Sequence, residues 1–173
     1  MTSSANLSVL VGKDVACVKV TGRANFSFSP DFKSLLNGLN EKGYHHFVVD
    51  LSECLLMDST FLGTLAGFGM MTHPGSADHC DIELLNPSAR VAELLENLGV
   101  LPLFKVTTGA APCPGGDASF RPQTGNHTQE EITRNCLEAH QALMAANPDN
   151  VARFKDVAQF LAEDLKSLQK PAR

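Results

Sequence analysis

The chain has 173 residues, of which 43% are hydrophobic, and its formal net charge is -5. This length and apolar content suit one domain, or one small domain with an appendage, and they exclude a chain that is disordered throughout. The acidic balance leaves no basic surface for nucleic acid, and no apolar run reaches the ~18 to 20 residues of a membrane span, so neither DNA binding nor membrane insertion is expected.

The cysteines and the N-terminus bear on the cellular compartment. The five cysteines are an odd number at scattered spacings and form no Cys-x-x-Cys pattern. The first residues show no signal-peptide pattern. Together these features predict a protein of the reducing cytoplasm.

The first third of the chain alternates β-type runs with one amphipathic helix. Residues 7–10 and 15–20 are short apolar runs around a Gly-Lys-Asp turn, which predicts a β-hairpin. Ser29 and Pro30 then predict the start of a helix, with serine as its cap and proline in its first position. Residues 47–51, Phe-Val-Val-Asp-Leu, are nearly continuous in apolar residues, which is typical of a strand covered on both faces.

A polar turn and a glycine-containing helix follow that strand, in residues 58–71. Ser59 and Thr60 stand after Asp58 at the predicted helix start, where several backbone N–H groups lack partners, so the turn can hold an anion. The plain alternative is that one of the two hydroxyls only caps the helix. Gly63 and a second glycine four residues later each cost about 1 kcal/mol relative to alanine, and they predict a face that lies very close to a sheet.

The rest of the chain divides into a strand–helix–strand segment, a linker and a helical hairpin. Residues 80–85 and 103–106 are predicted strands, and the helix between them begins after Asn86-Pro87. Residues 107–127 are rich in proline and glycine, as linkers are. Residues 128–146 and 147–169 have apolar stripes at helical spacing, and a capping-box pattern begins the first of them at Thr128. We therefore expect a domain over 1–106, a linker over 107–127 and a helical hairpin over 128–170.

The turn resembles the signature of the STAS domain, the fold of bacterial anti-sigma-factor antagonists. The similarity extends over roughly residues 7–106. The matching residues are Asp58-Ser59-Thr60-x-Leu62-Gly63, the preceding Val48-Val49-Asp50-Leu51, Gly22, Asn86-Pro87, Leu98-Gly99-Val100 and Leu103-Phe104. The resemblance implies an α/β fold, with a STAS-like mixed β-sheet and flanking helices, followed here by the C-terminal α-helical hairpin.

The resemblance also implies a function without catalysis. Such a protein would bind a GHKL-type serine kinase that is also the anti-sigma factor, and the kinase would phosphorylate Ser59 or Thr60. A PP2C-type phosphatase would remove the phosphate. Asp58, Asn25 and Gly63 would support the phosphorylation site; Asn25 stands where the family usually has aspartate.

Partner binding is expected on the loop that begins at Arg23 and on the start of the following helix. Arg23, Phe26 and Ser27 would contribute from the loop. Phe61 and Phe68 would be aromatic anchors, because large apolar residues away from the glycine face form either a second core contact or a docking surface. Phe61 replaces a glycine that the family often has there. The helical hairpin must pack on something, and self-association into a homodimer or packing on its own domain are the favoured alternatives.

Other classes of function find less support in the sequence. There is no Gly-x-Ser-x-Gly elbow, no Walker loop and no histidine placed by sequence to activate Ser59. His73, His79 and Cys80 fit no common zinc spacing, so neither a metal nor a cofactor is expected. A STAS subunit of a membrane lipid or anion transport complex, and a scaffold of the stressosome type, remain as alternatives.

Overall fold

The computed structural model describes residues 6–71, 80–110 and 126–170 of the chain. It contains six strands and five α-helices in these ranges. In chain order they are β1 (Asn6–Val11), β2 (Val15–Ala24), α1 (Ser29–Glu41), β3 (His46–Asp50), β4 (Cys54–Met57), α2 (Ser59–Met71), β5 (Asp81–Leu85), α3 (Ala89–Asn97), β6 (Lys105–Thr107), α4 (Gln129–Ala146) and α5 (Asp149–Gln169).

The strands form one mixed sheet in the order β1-β2-β3-β5-β6, with β4 beside the end of β2. β1 and β2 are antiparallel, as the predicted hairpin requires, and Val9 lies opposite Val18. The other pairs are parallel. Strand β4 was not predicted; Cys54, Leu56 and Met57 pair with the last three residues of β2. The predicted α/β fold is confirmed.

Helices α1, α2 and α3 contribute their apolar side chains to one core cluster with the sheet. The rings of Phe32 on α1 and Phe61 on α2 stack with 4.3 Å between centroids. The predicted cap of α1 is wrong: the helix begins at Ser29 itself, whose hydroxyl donates to the carbonyl of Asn25 at 3.1 Å. Ser29 is therefore buried in the first turn, and no side chain caps this helix.

The predicted helical hairpin is confirmed, and it packs on its own domain: α4 lies on α2, and α5 lies on α4. The Thr128 hydroxyl accepts from the Glu131 N–H, and the Glu131 carboxylate accepts from the Thr128 N–H, so the predicted capping box forms. The expectation that Gly63 and Gly67 of α2 face a sheet is wrong. A Cβ at Gly63 would lie 2.3 Å from the carbonyl oxygen of Ala139 on α4. The missing side chain of Gly63 therefore lets α4 pack closely on α2.

The sheet domain extends beyond the predicted boundary at residue 106. That residue lies within β6, and the side chain of Asn86 exchanges two hydrogen bonds with the backbone of Gly109. Most of the predicted linker lies outside the described residues. No helix in the described ranges is long and apolar enough to cross a membrane.

The cysteines are in more than one state. Cys54, Cys80 and Cys136 are buried and form no disulfide, whereas Cys17 is disulfide-bonded. The odd count and the scattered spacings therefore did not determine the redox state of these residues.

Candidate functional site

The start of α2 is capped by Asp58, and neither Ser59 nor Thr60 serves as the cap. One carboxylate oxygen of Asp58 accepts from the N–H of Phe61 at 2.8 Å, which is the usual geometry of a helix cap. The other oxygen accepts from the N–H of Phe26 at 2.7 Å. A single carboxylate thus satisfies the helix terminus and ties the preceding loop to it. Simple capping by the two hydroxyls, the plain alternative, is not what this turn contains.

Asp58 lies in an environment that disfavours negative charge. Burial raises the pKa of its carboxyl group above the usual range, and the N–H groups of Phe61 and Phe26 and the nearby His140 only partly oppose that shift. A further negative charge at this turn would therefore be repelled by the Asp58 carboxylate and would be poorly solvated.

Ser59 is half-buried and faces a histidine from the C-terminal helical hairpin. Its hydroxyl oxygen is 3.1 Å from Nε2 of His140 on α4. The other ring nitrogen, Nδ1, is 2.7 Å from the carbonyl oxygen of Cys136. Because a carbonyl can only accept, we assign the proton of the neutral ring to Nδ1, so that the Ser59 hydroxyl donates to Nε2.

Sequence reasoning missed this histidine, because 81 residues separate it from Ser59. His140 is buried, and its ring lies edge-on to that of Phe154 on α5, with 5.0 Å between centroids. The available signal was its position on the apolar stripe of α4, four residues after Cys136 and three before Leu143. A polar residue in such a stripe needs a partner, but the sequence does not say which one.

Thr60, the second predicted acceptor, is buried beneath α4. Only 5% of it is exposed, and its hydroxyl donates to the sulfur of Cys136 at 3.9 Å. Burial also raises the pKa of the Cys136 thiol. One turn later, the hydroxyl of Thr64 donates to the carbonyl of Thr60 and accepts from the side chain of Asn135. Ser59 is therefore the more accessible of the two predicted acceptors.

The predicted docking residues lie in the segment 23–27, which we call the docking loop and which includes the last two residues of β2; these docking residues are at the surface. Arg23 and Ser27 are exposed, and half of Phe26 is exposed, at 50%. The Asn25 side chain accepts from both the N–H and the hydroxyl of Ser27, at 3.2 and 2.7 Å. The hydrogen bonds of Asn25 thus shape the docking loop. The expected role of Asn25 beside the acceptor is not supported by a direct contact with Ser59 or Thr60.

The predicted aromatic anchors on α2 are wrong. Phe61 is fully buried and stacks on Phe32. Phe68 is 5% exposed and makes an edge-on contact with Phe47 of β3. Phe61 packs against α1 and Phe68 packs against β3, so both rings lie inside the sheet domain. Gly63, predicted to support the phosphorylation site, instead contacts α4.

The described part of the chain holds no group of three or more His, Cys, Asp or Glu residues that could bind a metal ion. His73 and His79, weighed as metal ligands, lie outside the described residues. A cavity of about 230 Å³ between α1, α2 and α4 is lined by Leu36, Gly67 and Phe68 among others. It is smaller than the ~300 to 1,000 Å³ of typical ligand pockets, whereas a cavity of about 530 Å³ beside β5 and β6 falls within that range.

Comparisons with known proteins agree with the fold. The family model of the STAS domain matches residues 6–110, so α4 and α5 lie outside the match. The crystal structure of an anti-sigma factor antagonist from Mycobacterium paratuberculosis aligns with a TM-score of 0.53 and 16% identity, over 62% of this chain and 90% of that chain. The anti-sigma factor antagonist SpoIIAA of Bacillus, in its unphosphorylated form, aligns with a TM-score of 0.52 and 17% identity, over 62% of this chain and 89% of that chain. No curated protein sequence matches the chain. At these identities the structural likeness shows the fold alone.

Proposed function

Because the chain belongs to the STAS domain family, we propose that it is an anti-sigma-factor antagonist whose partner binding is switched off by phosphorylation of Ser59. The partner is an anti-sigma factor that is also a GHKL-type serine kinase. A PP2C-type phosphatase restores the binding form. The chain itself supplies the acceptor and the docking surface in the cytoplasm, and it catalyses no reaction.

The observation that carries this proposal is the division of roles at the start of α2. Asp58 caps the helix, so the Ser59 hydroxyl is not needed there. Ser59 is also half-buried, whereas Thr60 is enclosed. A hydroxyl at a helix N-terminus that has no capping task, in the position of the family's phosphorylated residue, favours Ser59 as the acceptor.

The electrostatics of the turn explain how a phosphate would act as a switch. Phosphorylation adds about -1.5 to -2 charges at pH 7. The new charge would stand next to Asp58, whose carboxylate already binds the N–H of Phe26 in the docking loop. It would repel an acidic partner surface at the place where the docking loop meets α2. No refolding of the sheet domain is needed for this effect.

The docking surface begins with the docking loop. Phe26 is the exposed aromatic residue there, and its backbone is tied to the acceptor turn through Asp58. An aromatic anchor at an interface centre is typically worth about 2 kcal/mol or more. We therefore assign to Phe26 the anchoring role that the sequence suggested for Phe61.

The test is phosphorylation of the full chain by a kinase recovered through co-purification, followed by peptide mass spectrometry. We expect phosphate on Ser59, none after Ser59→Ala, and retention after Thr60→Val, which keeps the shape of a buried side chain. Phosphate at another residue, together with full phosphorylation of Ser59→Ala, would refute the assignment. Co-purification of a membrane ATPase complex instead of a soluble kinase would favour the transport-complex alternative.

A further inference from the structure

Helix α4 covers the face of α2 that carries the proposed acceptor. We call this face, formed by Thr60, Gly63, Thr64 and Gly67, the covered face of α2. Cys136 lies over Thr60, and the backbone of Ala139 lies over Gly63. His140 meets Ser59 at the edge of the same contact. One element of the chain, outside the residues matched by the STAS family model, thus occupies the surroundings of the acceptor.

Helix α4 restricts the approach of a kinase to the acceptor. The Ser59 oxygen and Nε2 of His140 are 3.1 Å apart, a hydrogen-bond distance, so the hydroxyl points toward α4. Transfer needs the attacking oxygen in line with the leaving group of the nucleotide. The His140 ring is held by the Cys136 carbonyl and by Phe154, so it cannot simply turn aside. Because Ser59 is half-buried beside α4, a kinase reaches its oxygen more easily when α4 has moved.

The covered face is suited to exposure in water. Its members are two glycines and two threonines, whereas the large apolar residues of α2, such as Phe61, Leu62 and Leu65, belong to the core of the sheet domain. The facing side of α4 contains the buried polar side chains of Asn135 and His140 beside buried apolar residues such as Ala139 and Leu143. A contact of this mixed composition resembles an interface between domains of one chain.

The rim of the contact holds one exposed and one largely buried ion pair with α1. Lys33 pairs with Glu138 of α4, and both side chains are nearly half exposed. His127, just before α4, lies 2.6 Å from the buried Asp31 of α1 and 3.0 Å from Glu131. Exposed ion pairs contribute little to stability, so the Lys33–Glu138 pair orients α4 without locking it.

We propose that the covered face of α2 is part of the partner's docking surface and that α4 occupies it until the partner displaces it. The proposal rests on the proposed function and adds to it an intramolecular competitor. Because Gly63 and Gly67 admit Ala139 and Ala142 of α4, the face fits a helix with small residues three positions apart. The partner is an anti-sigma factor that presents such a helix. Binding and phosphorylation both scale with the fraction of molecules in which α4 has left.

The first experiment opens the contact by overpacking it in the full chain. Ala139→Leu adds three carbon atoms where the Ala139 backbone already touches Gly63, and it alters neither Ser59 nor His140. Ala145→Leu makes the same change at an exposed position of α4 and is the matched control. Opening is measured as the rate at which iodoacetamide labels Cys136, a buried free thiol on the side of α4 that faces α2, with mass spectrometry of its peptide.

We expect Ala139→Leu to raise Cys136 labelling by about tenfold or more, since overpacking weakens a contact by at least that order. The phosphorylation rate of Ser59 should rise with it, and Ala145→Leu should change neither rate. Unchanged labelling of a folded Ala139→Leu chain would show that α4 is not a removable cover. Faster labelling with an unchanged phosphorylation rate would show that the cover does not control the acceptor.

The second experiment closes the contact and remains informative if Ala139→Leu does not fold. The Thr60 hydroxyl is 3.9 Å from the Cys136 sulfur, so Thr60→Cys places two thiols side by side across the contact. The oxidised variant should not be phosphorylated, the same sample should become a substrate after reduction, and the unmodified chain should respond to neither treatment. Equal phosphorylation of the oxidised and the reduced variant would show that α4 does not restrict access to Ser59. Absence of phosphate on Ser59 in the reduced variant and in the unmodified chain contradicts the proposed function instead.

Discussion

Replacement of Gly63 by alanine tests whether α4 lies on α2 in solution. A Cβ at this position would lie 2.3 Å from the carbonyl oxygen and 2.9 Å from the Cβ of Ala139. Ordinary contacts of a Cβ atom begin near 3.4 Å. The two helices would therefore have to separate by about 1 Å, because the opposing oxygen belongs to a helix backbone and cannot rotate away.

The size of the effect follows from two opposing contributions. Alanine in a helix interior is more favourable than glycine by about 1 kcal/mol. Overpacking of a close contact costs about 1 to 3 kcal/mol, and contact with a backbone atom places Gly63 in the upper part of that range. We expect Gly63→Ala to lower the free energy of unfolding of the full chain by about 2 kcal/mol.

The sign should reverse in a truncated chain that ends at Ala110, which lacks α4 and α5. The two solved structures align over about 90% of their own length with 62% of this chain, so a domain of this size is expected to fold alone. There the alanine should raise the free energy of unfolding by about 1 kcal/mol. Gly38 of α1, around which a Cβ would meet nothing within 4 Å, is the control, and Gly38→Ala should stabilise both chains.

Urea unfolding followed by circular dichroism measures these differences at an unchanged dependence on denaturant. If Gly63→Ala stabilises the full chain as Gly38→Ala does, α4 does not rest on α2. The proposal that α4 covers the acceptor would then be wrong. If it destabilises both chains alike, the steric conflict lies within the sheet domain.

Three further predictions concern side chains that the structure places differently from one another. Phe61→Ala should lower the free energy of unfolding by about 3 to 5 kcal/mol in a thermal melt, because it empties a core position, and a loss below about 1 kcal/mol would place the ring outside the core. Phe26→Ala should leave stability unchanged and weaken partner binding in a titration by about tenfold or more; equal affinity would remove Phe26 from the docking surface. The hydrogen bond to Asp31 raises the pKa of His127, so its stabilising contact is complete below the unfolded pKa of about 6.5 and is lost as pH rises through the higher folded value. The protection factors of the α4 amides, corrected for the intrinsic pH dependence of exchange, should therefore be higher at about pH 6 than at about pH 8, and His127→Gln should abolish the difference.

The sequence by itself determined the features that depend on neighbouring residues. The capping box at Thr128 involves residues three apart, and the helical stripes and the nearly continuous apolar strand at residues 47–51 repeat within one element. These signals located the central strand, α2 and the helical hairpin within a few residues. The pattern around Asp58 also led to the correct family, because it lies in one short segment of the chain.

Only the tertiary structure decided which neighbour each face of α2 meets. Apolar or small residues lie all round this helix, so its periodicity did not distinguish the face of Phe61, which is in the core, from the face of Gly63, which receives α4. The contact of Ser59 with His140 joins residues 81 positions apart. Such a contact depends on how two finished helices pack, and helix packing is set by shape complementarity across the whole interface. No local pattern in a single sequence contains that information.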